Sequence, residues 1–254
     1  MPAPGGATQD FGGNSPCIEV RCEGRLLIFD AGTGIRALGK ALVTQSPVEG
    51  DIFFSSTRFN NINGLPFFAA AFHPKNTFRF WCGTAHTQGC IKDVLARLMN
   101  DPIFPVPLDI FNADLSFKDF LSGDHLDMGG GLEIATAPLE GEPPGTAFRI
   151  ACGPHVICIV PAALLDTADQ RAAMTAFADE ADLLVFGPPA AGSDATEASW
   201  CAALDLADGA GVPRLVLSGH APEDNDGLLA AREARLAGKR PGTVLAREGQ
   251  EYVV

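Results

Sequence analysis

The chain is poor in several things that would narrow its role. It holds a single Tyr and two Trp among 254 residues, and charged residues make up 19% of it. No run of about 18 apolar residues occurs, so no membrane-spanning helix is expected and no membrane partner. Basic residues are scarce, 18 against 31 acidic ones, which gives a formal net charge of −13. A surface of that sign repels phosphate backbones, and the one dense basic cluster is Lys239-Arg240, so nucleic acid is not an expected partner. No Cys-x-x-Cys pair exists among the seven cysteines, Cys17, Cys22, Cys82, Cys90, Cys152, Cys158 and Cys201. An odd count in apolar surroundings such as Trp81-Cys82 and Ile157-Cys158-Ile159 reads as buried, reduced thiols rather than a disulfide framework. The Pro/Gly-rich opening, Met1 to Gly13, lacks a basic-then-apolar leader. A cytoplasmic location follows from these absences as an expectation.

What is present suits a globular α/β domain. The chain is 46% hydrophobic, and one domain over residues 1–254 with an irregular stretch over 1–13 is expected. Ile18, Val20 and Cys22 alternate with Glu19, Arg21 and Glu23, which predicts a half-buried strand, a turn at Glu23-Gly24, and a second strand over Arg25 to Phe29. Asp30-Ala31-Gly32-Thr33-Gly34 then opens a helix through Leu42. Asp51 to Ser55 reads as a short apolar strand and Gly64 to Phe72 as a helix with Pro66 in its first turn. Thr77 to Cys82 is a strand, and the spacing of Ile91, Val94, Leu95 and Leu98 predicts a helix over Cys90 to Met99. Strands are predicted over Leu132 to Pro138, Ala147 to Ala151, His155 to Val160, Leu183 to Phe186 and Leu215 to Leu217. Helices are predicted over Thr167 to Ala181, Thr196 to Gly209 and Asp224 to Leu236. The tail from Thr243 to Val254 reads as a closing hairpin, and Pro188-Pro189 with Gly192-Ser193-Asp194 as an irregular loop. Two blocks of strands, each followed by helices, predict two sheets between helices.

The order of the motifs resembles the metallo-β-lactamase superfamily, in its phosphodiesterase-like, RNase Z-related branch. Gly12-Gly13-Asn14-Ser15-Pro16-Cys17 is similar to that branch's opening. Leu27-Ile28-Phe29-Asp30-Ala31-Gly32-Thr33-Gly34 is similar to its strand-to-helix turn, and Gly64-Leu65-Pro66-Phe67-Phe68 follows where the metal loop would end. Arg214-Leu215-Val216-Leu217 leads to the last ligand position, and Ala246-Arg247-Glu248-Gly249 resembles the C-terminal strand. The likeness covers nearly the whole chain; only the usual first strand is missing, encoded nowhere or supplied by another chain. It implies an α/β fold of the αββα metallo-β-lactamase type.

That family holds two metals, usually zinc, through a His-x-His-x-Asp-His loop. Here the four places carry Ser56, Arg58, Asn60 and Asn61. The next ligand position carries Gly141, within Leu139-Glu140-Gly141-Glu142. The bridging Asp is replaced by Pro161. His220 stands at the last position, with Ala221 where an Asp is usual, and Glu197 lies near where a further His is expected. One imidazole does not hold a zinc ion that wants four ligands, an arginine opposes any dication, and amides bind transition metals weakly. No metal, no cofactor and no catalytic residue is therefore expected. Asp30, which the resemblance makes a turn residue and outer partner of the ligands, does not restore the site.

Ser56, Arg58, Asn60, Asn61, His220 and Asp30 are the candidate binding set, suited to a small anionic or phosphorylated ligand that Arg58 would pair. The bland alternative is a relic cleft in which Arg58 fills the place of the metals. His73, His86, His125 and His155 lack ligand spacing, and Glu140 with Glu142 reads as a solvated loop. Gly32-Thr33-Gly34 has no P-loop Lys, and Ser218-Gly219-His220 no nucleophile elbow. The function expected is a catalytically silent regulatory, ligand-sensing or protein-interaction module. Two alternatives are kept. One is a phosphodiesterase-like hydrolase with a rebuilt or metal-free site, using Arg58 on an oxyanion and His220 as acid or base. The other is an oligomeric scaffold meeting its own copies or a protein partner through Leu65 to Phe72 or Ile91 to Met99.

Overall fold

In the computed structural model, residues 2–83, 89–102, 104–188 and 197–254 are described. His86, Pro189, Gly192-Ser193-Asp194 and Thr196 lie outside these, as does the Glu197 side chain. The chain divides into two compact units, one of Met1–Gly13 with Ser122–Val254 and one of Asn14–Leu121.

The Asn14–Leu121 unit is built on a five-stranded sheet of order β1-β2-β3-β4-β5, with β1 Ile18–Cys22, β2 Arg25–Phe29, β3 Glu49–Phe54, β4 Thr77–Cys82 and β5 Asp114–Asp119. β1 and β2 are antiparallel and the rest parallel. Glu23 and Gly24 both take positive φ, 47° and 80°. That is the turn geometry whose twist matches a two-residue hairpin. The even-numbered residues Ile28, Ile52, Phe54, Phe78 and Phe80 face α1 (Ile35–Val43) and α3 (Ile91–Leu98), and this layer is one apolar core. The opposite face carries a stack of Phe29, Phe53 and Trp81, with ring centroids 5.3 and 5.7 Å apart. The same face carries a buried carboxylate, Asp51. It accepts from Arg79 Nε at 2.6 Å and Nη2 at 2.8 Å and from Trp81 Nε1 at 2.9 Å. These bonds drive the Arg79 guanidinium's affinity for its proton upward.

The other unit carries a seven-stranded sheet of order β12-β11-β10-β9-β8-β7-β6. Its strands are β6 His125–Gly129, β7 Leu132–Leu139, β8 Gly145–Cys152, β9 His155–Val160, β10 Leu183–Phe186, β11 Arg214–Leu217 and β12 Thr243–Leu245. β9 to β12 are parallel, and β6 to β9 antiparallel. β10 is buried at every residue, as an inner parallel strand covered by helices must be. α4 (Ala168–Phe177), α5 (Glu197–Gly209) and α6 (Asp226–Lys239) pack Met174, Trp200, Leu204, Leu229 and Leu236 into its core. α4 opens on a capping box: Gln170 N donates to Thr167 Oγ1 at 3.2 Å, and Gln170 Oε1 accepts from Thr167 N at 3.0 Å. Gln170 Nε2 also donates to Glu140 at 2.7 Å, so this loop glutamate supports a helix start.

Three expectations need correction, and two strands were not expected. Gly64 to Phe72 is not one helix. It forms two 3-10 turns, Leu65–Phe67 and Ala69–Phe72, split where Phe68 takes ψ 90°; the buried Phe68 ring meets Phe78 at 4.9 Å. The tail is not a hairpin, because β12 pairs in parallel with β11 and residues 246–254 run on without strand pairing. β5 and β6 carry polar residues on most positions and gave no strand signal in sequence. Cys22 and Cys152 are disulfide-bonded, so the cysteines are not all reduced; the other five are thiols.

Candidate functional site

The loop after β3 is tied to the turn after β2 by one buried carboxylate. Asp30 is 4% exposed and sits at φ 63°, which a non-glycine residue holds only under surrounding constraint. Its backbone N donates to Phe53 O at 2.8 Å, and Ala31 N donates to Asn61 O at 2.7 Å. Its carboxylate accepts from Ser55 N at 2.8 Å, Ser55 Oγ at 2.7 Å and Asn61 Nδ2 at 3.2 Å. Burial pushes the Asp30 carboxyl up to about 7, against those three hydrogen bonds, which pull it down. Cys17, partly buried nearby, has its thiol pushed well up by desolvation and by the Asp30 charge.

Asn61 completes the knot. Its Nδ2 also donates to Ser55 Oγ at 2.7 Å and lies 3.2 Å from Ser56 Oγ. Ser56 Oγ in turn accepts from Arg58 N at 3.3 Å. Arg58 is the N-cap of a single helical turn, α2 (Phe59–Ile62), which carries Asn60 and Asn61. Gly32 is held where a Cβ would meet the backbone of Ser15, Pro16 and Asn60 at 2.6 Å, so a close approach of three segments fixes the glycine there. Thus Asp30, Ser56 and Asn61 come together around Ser55. Arg58 joins through its backbone, and Asn60 through its place on α2. Ser55 was missed in sequence. Ser55-Ser56 is a doublet, and only the pairing of β3 shows which hydroxyl meets Asp30.

His220 lies in the other unit, after β11, following Gly219 at φ 78°. Its Nε2 donates to Ala246 O at 2.9 Å, which leaves Nδ1 as the lone-pair nitrogen. Nδ1 is buried with no hydrogen-bond partner among the described residues. Burial holds the imidazole below its ordinary value, so it is neutral. Phe11 meets the ring edge-on at 6.0 Å, and Arg247 stands 4.0 Å over the same Phe11 ring. Around them Arg232 pairs with Asp224 at 2.8 and 3.1 Å, and Arg247 with Glu233 at 2.8 and 2.6 Å. The Arg247 pair holds the Glu233 carboxyl below its usual range.

The residues at the loop do not fit a zinc pair. They offer two hydroxyls, a guanidinium and two amides. The Asn61 amide turns its nitrogen, a donor, toward the carboxylate and both serines. Among the described residues no three His, Cys, Asp or Glu side chains gather as a metal would require.

Sheets of this order, each covered by helices, with a strand-to-loop turn at Asp30 and His220 after β11, define an α/β protein of the metallo-β-lactamase fold. YhfI from Bacillus subtilis, a metallo-β-lactamase fold protein, is similar over 98% of this chain and 95% of its own at 18% identity, with a TM-score of 0.66. A diphosphatase of the PhnP family is similar over 94% and 85% at 14% identity, with a TM-score of 0.64. Human short-form tRNase Z is similar over 85% and 89% at 17% identity, with a TM-score of 0.57. No family profile matches the sequence. No curated protein matches it by sequence either.

Proposed function

We propose that this is a catalytically silent protein of the metallo-β-lactamase fold, serving as a regulatory, ligand-sensing or interaction module. One observation carries the reading. The loop that would present metal ligands is instead closed on itself, Asp30 to Ser55 to Asn61 to Ser56, by hydrogen bonds of 2.7 to 3.2 Å. A small anionic or phosphorylated ligand held by the Arg58 guanidinium beside Ser56, Asn60 and Asn61 belongs to the same proposal.

A hydrolase with a rebuilt site is the second reading. It is favoured by the buried lone pair of His220 Nδ1 and by two neighbours that are hydrolytic enzymes, a diphosphatase and a tRNase. Against it, the same burial that leaves Nδ1 unpartnered makes the imidazole a weak base.

Elemental analysis of protein purified without chelator separates the two readings, together with hydrolysis of an activated phosphodiester with and without added zinc or manganese. We expect substoichiometric metal and no turnover above the Arg58→Ala variant. Stoichiometric zinc, manganese or iron overturns the silent reading. The ligand is then sought by thermal shift with nucleotides and phosphorylated metabolites. Stabilisation that survives Arg58→Ala removes that residue from the site.

Among the described residues no helix is long and apolar enough to cross a membrane. A cytoplasmic setting remains part of the proposal, and the disulfide-bonded state of Cys22 and of Cys152 weighs toward an oxidising one.

A further inference from the structure

Two nucleophilic side chains outside the candidate site meet where α5 and α6 touch. Cys201 lies in the first half of α5, and Lys239 is the last residue of α6. Lys239 Nζ donates to Cys201 Sγ at 3.4 Å. The two helices are held to each other beside the pair. Arg232 of α6 stands over the Trp200 ring of α5 at 5.8 Å, and Arg240 Nε donates to Asp208 at 2.6 Å. Trp200 and Arg240 are both buried. The backbones under the pair are therefore fixed, while the lysine head is exposed and the thiol only partly buried. Other thiols of the chain sit differently. Cys82 and Cys158 are buried, and burial pushes the Cys158 thiol up to about 11. Desolvation and the Asp30 charge push the Cys17 thiol well up. Thiols held in the S–H form in this way are poor nucleophiles. Cys201 instead reaches solvent and faces a primary amine.

We propose that Cys201 and Lys239 are an oxidative modification site, where a hydroperoxide turns the Nζ–Sγ contact into a reversible covalent staple between α5 and α6. The reaction has two steps. Sγ attacks one peroxide oxygen, the O–O bond breaks, and the other oxygen leaves as water or an alcohol. Sulfur has then lost two electrons to the peroxide, and Cys201 is a sulfenic acid. A sulfenic acid condenses with a thiol or with a nitrogen nucleophile. Lys239, once its ammonium has given a proton to solvent, attacks Sγ through the Nζ lone pair. The S–N bond forms, the S–O bond breaks, and the hydroxyl leaves as water with a second proton from nitrogen. The net change in the protein is the loss of two hydrogens. An added thiol reverses it, attacking sulfur to release the amine, and a second thiol returns Cys201 to its reduced form. Pinning of the helices makes the second step intramolecular. It therefore outruns a second peroxide, which would carry sulfur on to the sulfinic acid. The proposal stands apart from the silent-site reading, because neither residue belongs to the loop after β3 or to the surroundings of His220.

Mass spectrometry of the full chain after treatment with a small molar excess of hydrogen peroxide tests it. We expect one of the five thiols to be lost, the intact mass to fall by two hydrogens, and proteolysis to release Cys201 and Lys239 in one joined pair of peptides. Dithiothreitol should separate the pair and return the Cys201 thiol. Lys239→Arg keeps the cation beside sulfur and removes the amine. That variant should give no joined peptides, and its Cys201 should be captured as a sulfenic acid by dimedone. Both side chains lie at the surface end of their contact, so the variant's melting curve should match wild type. Recovery of wild-type Cys201 as a sulfinic acid, or in a disulfide with another cysteine, overturns the proposal. So does a joined pair that retains an oxygen, or a Lys239→Arg variant that loses the same two hydrogens.

Discussion

At the level of single residues, Asp30 is the one whose chemistry reaches furthest. Its proton affinity is raised by burial to about 7 from 3.8, so between these values the folded state binds a proton that the unfolded state releases. Stability then falls as pH rises from about 4 to about 7 and is flat above, with a span of up to ~4 kcal/mol. Chemical denaturation at about pH 5 and about pH 8 should therefore find the protein more stable at the lower value, and Asp30→Asn should narrow the gap. A wild type more stable at the higher pH, with no change in the variant, contradicts this. Asp51 makes the opposite case. It is fully buried, with two nitrogens of Arg79 and the Trp81 indole on it. Arg79→Met leaves that carboxylate without its main counter-charge and should cost ~3–5 kcal/mol in the same denaturation experiment. Asp30 was legible in sequence because an Asp-x-Gly-x-Gly turn closes an apolar strand. Asp51 was not, because an acidic residue at a strand's first predicted position looks like a boundary. Only the register Asp51↔Arg79 shows it inside the sheet.

Among the elements, periodicity carried the parts whose burial is one-sided or complete. α1, α3 and the all-buried β10 were legible for that reason. The split at Phe68 was not, since Pro66 fits a helix start as well as a 3-10 turn, and the ring contact with Phe78 that bends the chain is long-range. The N-terminal stretch shows the same limit from the other side. It is irregular, as its Pro and Gly content implies, but it is pinned. Asp226 at the start of α6 accepts from Asp10 N and Phe11 N at 3.1 Å each, and Glu248 accepts from Gly13 N at 2.8 Å. Phe11 is 3% exposed and belongs to the core under α6. No pattern in a segment without regular structure announces that its one aromatic is core. Phe11→Ala should cost ~3 kcal/mol by thermal or urea melting, through lost burial and the cavity left beside His220. A loss under about 0.5 kcal/mol would mean that the arm is ornamental.

For the molecule as a whole, composition was misleading about the cysteines. Seven cysteines without Cys-x-x-Cys spacing look like reduced thiols, because sequence alone carries no other local mark of a disulfide. Cys22 ends β1 and Cys152 ends β8, and both are bonded. The five remaining cysteines are two buried ones, Cys82 and Cys158, and three partly buried ones, Cys17, Cys90 and Cys201. Titration of thiols in denaturant without reductant should therefore find five, and prior reduction should raise the count to seven. A disulfide restricts the unfolded state, so reduction should lower stability by ~2–4 kcal/mol. Cys22→Ser should reproduce most of that loss without reductant, and Cys201→Ser, at a cysteine that keeps its thiol, should not. Seven reactive thiols in protein purified without reductant would show the bond unformed, and the reduced compartment expected from composition would then stand.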